Sequence, residues 1–92
     1  MANEFPTTVN AAVRLLQTMV PDSEQAKIAE MAEDDLINLD WGLGLWIRNN
    51  LGFHDGNIQL LRDTGKENPD DASLAIIVAF WHQLRCALPR VH

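Results

Sequence analysis

EDDLINLDWGLGLWIRNN, residues 33–50, is the stretch that decides how this chain is read. It opens with Glu33, Asp34 and Asp35, three carboxylates where the start of a helix dipole favours negative charge. On a helical wheel, Leu36, Leu39, Leu43, Trp46 and Ile47 fall on one face. Ile37, Trp41 and Leu45 fall on another, roughly opposite. A helix that is apolar on two sides must be covered on two sides. The spacing therefore predicts one central helix over about residues 33–50, with the remaining helices packed around it. Gly42 and Gly44 each cost about 1 kcal/mol relative to alanine inside a helix. Closeness is the expected return, with a neighbouring helix or an indole ring lying against bare backbone.

Outward from this stretch the punctuation is helical throughout. Thr7 or Thr8 can cap a first helix whose apolar residues Val9, Ala12, Val13, Leu16 and Val20 step by three and four. Pro21 stops it, and Asp22 or Ser23 is placed to cap a short second helix ending at Met31. Gly52 suits the left-handed position that ends the central helix. Asp55–Gly56 reads as a turn, Asn57 as the cap of a fourth helix, and Gly65 as its close. In KENPDD, Asn68 is a cap, Pro69 fits the first helical position, and Asp70 and Asp71 fill the first turn. The fifth helix is expected to reach about Leu88, before Pro89. No alternating run joined by a hairpin turn suggests a strand. The expectation is an all-α single domain over residues 1–92, a compact bundle of four to five helices.

Composition narrows the function classes. The formal net charge is -6, and the seven Lys and Arg are scattered, so the basic footprint that phosphates require is missing. Nucleic acid and anionic membrane surfaces are therefore not the expected partners. Cys86 is the only cysteine, which removes internal disulfides and cysteine-based metal clusters and fits a reducing compartment. The opening MANEFPTTV lacks a basic segment followed by a long apolar run, so no signal peptide is expected and the cytoplasm is the assigned location.

The chemistry-bearing residues do not assemble into a catalytic set. His54, His82 and His92 have no metal-binding spacing, and Asp70–Asp71 already have a role in the first turn of a helix. His82 and Cys86 are four residues apart but lie off the apolar stripe, with no third orienting group. Neither a nucleophile elbow around Ser73 nor a phosphate-cradling glycine loop is present. No metal or cofactor is expected, and an enzyme is the weaker class. The leading expectation is a protein-interaction or regulatory module using Trp46, Arg48, Asn49, Asn50, His54 and Asp55. The alternative is a small-ligand binder or enzyme with a pocket beside Trp41 and Trp46. There Arg48 would hold an anion, and Asp70 or Asp71 would act as acid or base. The side of the fifth helix bearing Ala75, Val78, Ala79 and Cys86 is bare of charge, which suggests either a covering first helix or another subunit, so the partner can be a second copy in a homodimer.

The ordered segments EDDL, GLG, WIRNN and GN, continued by PDDAS, resemble a small bacterial domain family of unknown function from about Thr8 to Leu84. The resemblance implies a recurring pattern that includes Asp34, Asp35, Trp46, Arg48, Asn49, Asn50, Gly56, Asn57, Asp70, Asp71 and Ser73. Where that family more often carries a Trp-Arg pair after the asparagines, this chain has His54 and Asp55. The resemblance implies no activity.

Overall fold

The computed structural model of the chain describes residues 5–87. Five α-helices follow in order: α1 (Val9–Met19), α2 (Asp22–Glu30), α3 (Leu43–Asn50), α4 (Ile58–Thr64) and α5 (Pro69–Ala87). A nine-residue 3₁₀ helix (Glu33–Trp41) lies between α2 and α3, and a three-residue 3₁₀ turn (Phe53–Asp55) precedes α4. No strand occurs among the described residues. The all-α class holds, but six helices of seven residues or more stand where four or five are expected. The expected end of α5 near Leu88 and Pro89 lies outside the described residues, as does His92.

The extra helix arises because residues 33–50 are not one rod. Up to Trp41 the core-facing side chains are Leu36, which is buried, and Leu39, which is half-buried. They are three apart, the repeat of a 3₁₀ helix rather than of an α-helix. The residue one α-turn beyond Leu36 is Asp40, whose carboxylate is held by Arg48. At Gly42 the backbone leaves regular helical angles (φ -109°, ψ -78°), and α3 begins at the next residue. The expected two-sided burial fails with the rod. Ile37, Trp41 and Leu45 are exposed, Trp41 by 85%.

The centre of the bundle is α5 instead. It packs against α1, α2, the long 3₁₀ helix, α3 and α4. Its buried side chains Ala72, Ser73, Ile76, Ile77, Phe80, Trp81 and Leu84 recur at intervals of one, three and four along nearly the whole helix. A stripe that wide can serve several neighbours at once. Ala12, Val13 and Leu16 of α1, Ile28 and Ala29 of α2, Leu36, Ile47, Leu51 and Leu60 complete the core. Val78 and Ala79, on the charge-poor side of α5 expected to be covered by the first helix or by another subunit, also pack against this core.

The caps follow the sequence at most ends. Thr8 accepts from the Ala11 amide at 3.1 Å, and Asp63 of α4 accepts from the Val9 amide at 2.6 Å, which ties α4 to the start of α1. Asn68 accepts from the Asp71 amide, and Pro69 opens α5. The exception is α2, which starts directly after Pro21 with no side-chain cap from Asp22 or Ser23. Gln25 fixes that corner in their place, donating to the carbonyls of Gln17 and Val20 at 2.9 and 2.7 Å.

Two side chains of α5 fasten the far end of α2. The Trp81 indole donates to the Met31 carbonyl at 2.9 Å, and Arg85 donates to the Ala29 carbonyl at 3.0 Å. The Arg85 guanidinium also lies 4.9 Å from the Trp81 ring centre. These bonds satisfy carbonyls that the end of α2 leaves without helical partners. Trp81→Phe removes the donor and part of the ring, and is expected to cost about 1–2 kcal/mol. In a circular-dichroism melt that is a fall in Tm of roughly 4–15 °C for a domain of this size. An unchanged Tm would contradict the fastening role.

Candidate functional site

Arg48 is the meeting point of three elements. Projecting from α3, its side chain is 14% exposed. Its Nη1 donates to Asp40 Oδ1 at 2.7 Å and to Ser73 Oγ at 2.9 Å. Nη2 reaches the Asp40 carbonyl at 3.4 Å, and Nε lies 3.4 Å from Asp70 Oδ1. The fully buried Ser73 donates its own hydroxyl proton to the Asp70 carbonyl at 2.9 Å. One guanidinium therefore links the end of the long 3₁₀ helix, the middle of α3 and the first turn of α5. The fixed fork of an arginine suits such a multi-point junction, where a lysine would supply a single point charge. Asp70 is mostly solvent-exposed and adds little to the junction energetically. The half-buried Asp40 is the principal partner.

Gly44 is what makes room. A Cβ at that position would stand 2.7 Å from Asp40 Oδ1 and 3.2 Å from Arg48 Nη1. The expected closeness is thus real at Gly44, although an ion pair takes the place of the anticipated helix or indole ring. At Gly42 it is absent, since a methyl group there would meet nothing within 4 Å.

The turn that follows is built from the same motif. Asn50 is exposed and returns its amide to the Trp46 carbonyl at 2.9 Å, and Asn49 is exposed beside it. Gly52 takes a left-handed conformation (φ 85°), and the Phe5 ring lies where a Cβ would be. Asn57 donates to the carbonyls of Pro6 and Leu51, both at 2.8 Å, while its oxygen caps α4 at Leu60. His54 and Asp55 sit exposed on the short 3₁₀ turn. Neither of them bonds to Arg48, whose side-chain acceptors are Asp40, Asp70 and Ser73. The structure thus brings Arg48 together with those three, and leaves Asn49, Asn50, His54 and Asp55 on the surface.

Arg48 and Asp70 do approach each other, as a ligand pocket would require, but the Arg48 guanidinium is already held by Asp40 and Ser73. Neither lines the surface hollows at α1, at the start of α5 or beside Trp46. The last of these is apolar, about 180 Å³, and Trp46 shares it with Leu16, Met19, Val20, Pro21 and Leu43. Among the described residues, every buried side-chain polar atom has a hydrogen-bond partner. No three His, Cys, Asp or Glu side chains gather there closely enough to hold a metal ion.

The feature that stands out is apolar. Five large hydrophobic side chains are exposed among the described residues, Met19, Ile37, Trp41, Leu45 and Ile58, and three of them fall within residues 37–45. A 3₁₀ helix has three edges, because side chains three apart eclipse. Glu33, Leu36 and Leu39 share the edge that turns toward the core. The other two edges carry Asp34, Ile37 and Asp40, and Asp35, Asn38 and Trp41. Leu45 and Asn49 continue outward one turn apart on α3.

Residues 5–84 match the family described as Domain of unknown function (DUF6794). The chain belongs to this family. The match begins at Phe5, whose ring lies on Gly52, and ends at Leu84, a buried residue of α5, so it spans the packed unit. No curated protein and no solved structure matches the chain. Across the DUF6794 match, the sequence pointed to Arg48, Asp70 and Ser73 but missed Asp40. That residue lies eight positions before Arg48 across a break in the helix, where a wheel cannot pair them. The bare Gly44 between them was the available signal.

Substituting the two glycines separates these roles. Gly44→Ala is expected to lose about 1–3 kcal/mol in urea unfolding by forcing the ion pair aside. Gly42→Ala should change stability by no more than about 1 kcal/mol. Equal effects at both positions would contradict the assignment.

Proposed function

We propose that this chain is a protein-interaction module that docks another protein on the outward side of residues 33–50, and that it acts in the cytoplasm. One observation carries the reading: Trp41 is 85% exposed in a chain whose Trp81 is 8% exposed. Tryptophan is among the residues that most often anchor a protein interface, and leaving its ring in water has no benefit to the free fold. Ile37 and Leu45, in the same segment, are also exposed. Asn49 and Asn50 supply exposed polar groups at its α3 end, with His54 and Asp55 beyond, the pattern of an apolar centre and a polar rim. Arg48 acts from beneath, holding the 3₁₀ helix and α3 in the relation that presents the face. The net charge of -6 supports a protein partner over nucleic acid or an anionic membrane.

The face is tested by affinity capture from the native host extract with Trp41→Ala, Leu45→Ser and, as a control on α4, Ile58→Ser. Ile58 is 55% exposed, comparable to Leu45 at 48%. All three should fold, each within about 0.5 kcal/mol of the parent. The two changes at the face should abolish the capture that the parent and Ile58→Ser retain. Full capture by Trp41→Ala would refute the face.

A further inference from the structure

The acidic residues around this face narrow the chemistry of what binds it. From Ile28 to Ile47 the chain carries Glu30, Glu33, Asp34, Asp35 and Asp40 and not one Lys, Arg or His. The nearest cation on the α3 side, Arg48, is 14% exposed and already paired with Asp40. The 3₁₀ geometry then sets the pattern. On one outward edge Asp34 stands one turn from Ile37, and on the other Asp35 stands two turns from Trp41, with Asn38 between. Glu33, Asp34 and Asp35 are all exposed. Each of the two outward edges thus carries an acid one or two turns before a large apolar group.

We infer that the occupant of the Ile37–Trp41–Leu45 face is a basic amphipathic helix of another protein, its apolar stripe on Trp41 and its Lys or Arg residues against Asp34 and Asp35. An α-helix places a cation three or four residues from an apolar side chain on a shared face, which is the spacing Asp34 and Ile37 offer in reverse, and a cation one turn further on reaches Asp35 from Trp41. Like charges would instead face each other if the occupant were acidic, and that arrangement rejects a partner. A second copy of this chain would bring its own acidic ridge to the same place, so the charge pattern disfavours self-association there. The inference rests on the docking reading and adds the partner's chemistry to it.

Designed peptides test it directly. Two amphipathic helices of about 18 residues, five turns, share one leucine stripe; one carries lysine on its polar face and the other glutamate. Binding to the full chain is followed by isothermal titration calorimetry, with sedimentation of the free chain alongside. The lysine peptide is expected to bind, with affinity falling as salt is raised. Trp41→Ala should weaken it about tenfold, and the paired change Asp34→Asn with Asp35→Asn about fivefold. The glutamate peptide should not bind. If both peptides bind equally and Trp41→Ala weakens both, the face is a docking surface but the basic partner is wrong. If the lysine peptide binds and Trp41→Ala changes nothing, or if neither peptide binds, the inference falls. In the former case the face itself loses support. A dimer of the free chain that Trp41→Ala dissolves would also overturn it, because the occupant would then be a second copy.

Discussion

The arrangement of this domain depends on where one guanidinium goes. Arg48 is largely removed from water, and its Nη1 is shared between the carboxylate of Asp40 and the hydroxyl of the buried Ser73. Without those acceptors a buried cation would be costly, and without the cation Asp40 and Ser73 would lose their donor. Each partner comes from a different element, so satisfying one group positions three. The 3₁₀ helix has few apolar contacts of its own, Leu36 being its only buried side chain. Its attachment to α3 and α5 therefore combines this junction with the core contacts of Leu36 and Leu39.

From that junction the exposed face follows. Pulling Asp40 toward Arg48 fits a three-residue repeat from Glu33 to Trp41, and a run of that length is uncommon for a 3₁₀ helix. With the repeat at three, Leu36 and Leu39 reach the core, Asp40 turns to Arg48, and Ile37 and Trp41 remain outside. Trp41 lies on an outer edge, whereas on a continuous α-helix the same residue would belong to a second flank requiring cover. Gly42 then allows the backbone to leave helical angles and restart as α3. Structure and exposure are thus two results of one local choice of period, and the surface available for a partner is set by the same residues that fix the scaffold.

Much of the architecture was legible because caps and breakers act locally. Thr8, Pro21, Gly52, Asn57, Gly65 and the Asn68–Pro69 pair place helix ends through bonds and angles that involve mostly neighbouring residues. Periodicity misled where the answer depended on contacts distant in sequence. Asp40 looks like one more solvated acid until Arg48 is known to reach it, and only then does an α-period become a 3₁₀ period. The choice of the central helix failed for a related reason. Two apolar flanks on residues 33–50 suggest a centre, whereas the charge-poor second side of α5, which does occupy it, suggests only a covering first helix or a second subunit. At the site, Arg48, Asp70 and Ser73 were visible as residue types, but their grouping was not. His54 and Asp55 are close to Arg48 in sequence, but both are exposed on the turn and neither bonds to it.

What matters most is whether the Arg48–Asp40 contact is an integral part of the fold or an incidental surface pair. A double-mutant cycle on Arg48→Met and Asp40→Asn, measured by urea unfolding, isolates that contact from the loss of each side chain alone. The expected coupling free energy is above about 1 kcal/mol, beyond the range of exposed ion pairs. A coupling indistinguishable from zero would mean that the two side chains merely lie near each other, and that something else holds the 3₁₀ helix against α3 and α5.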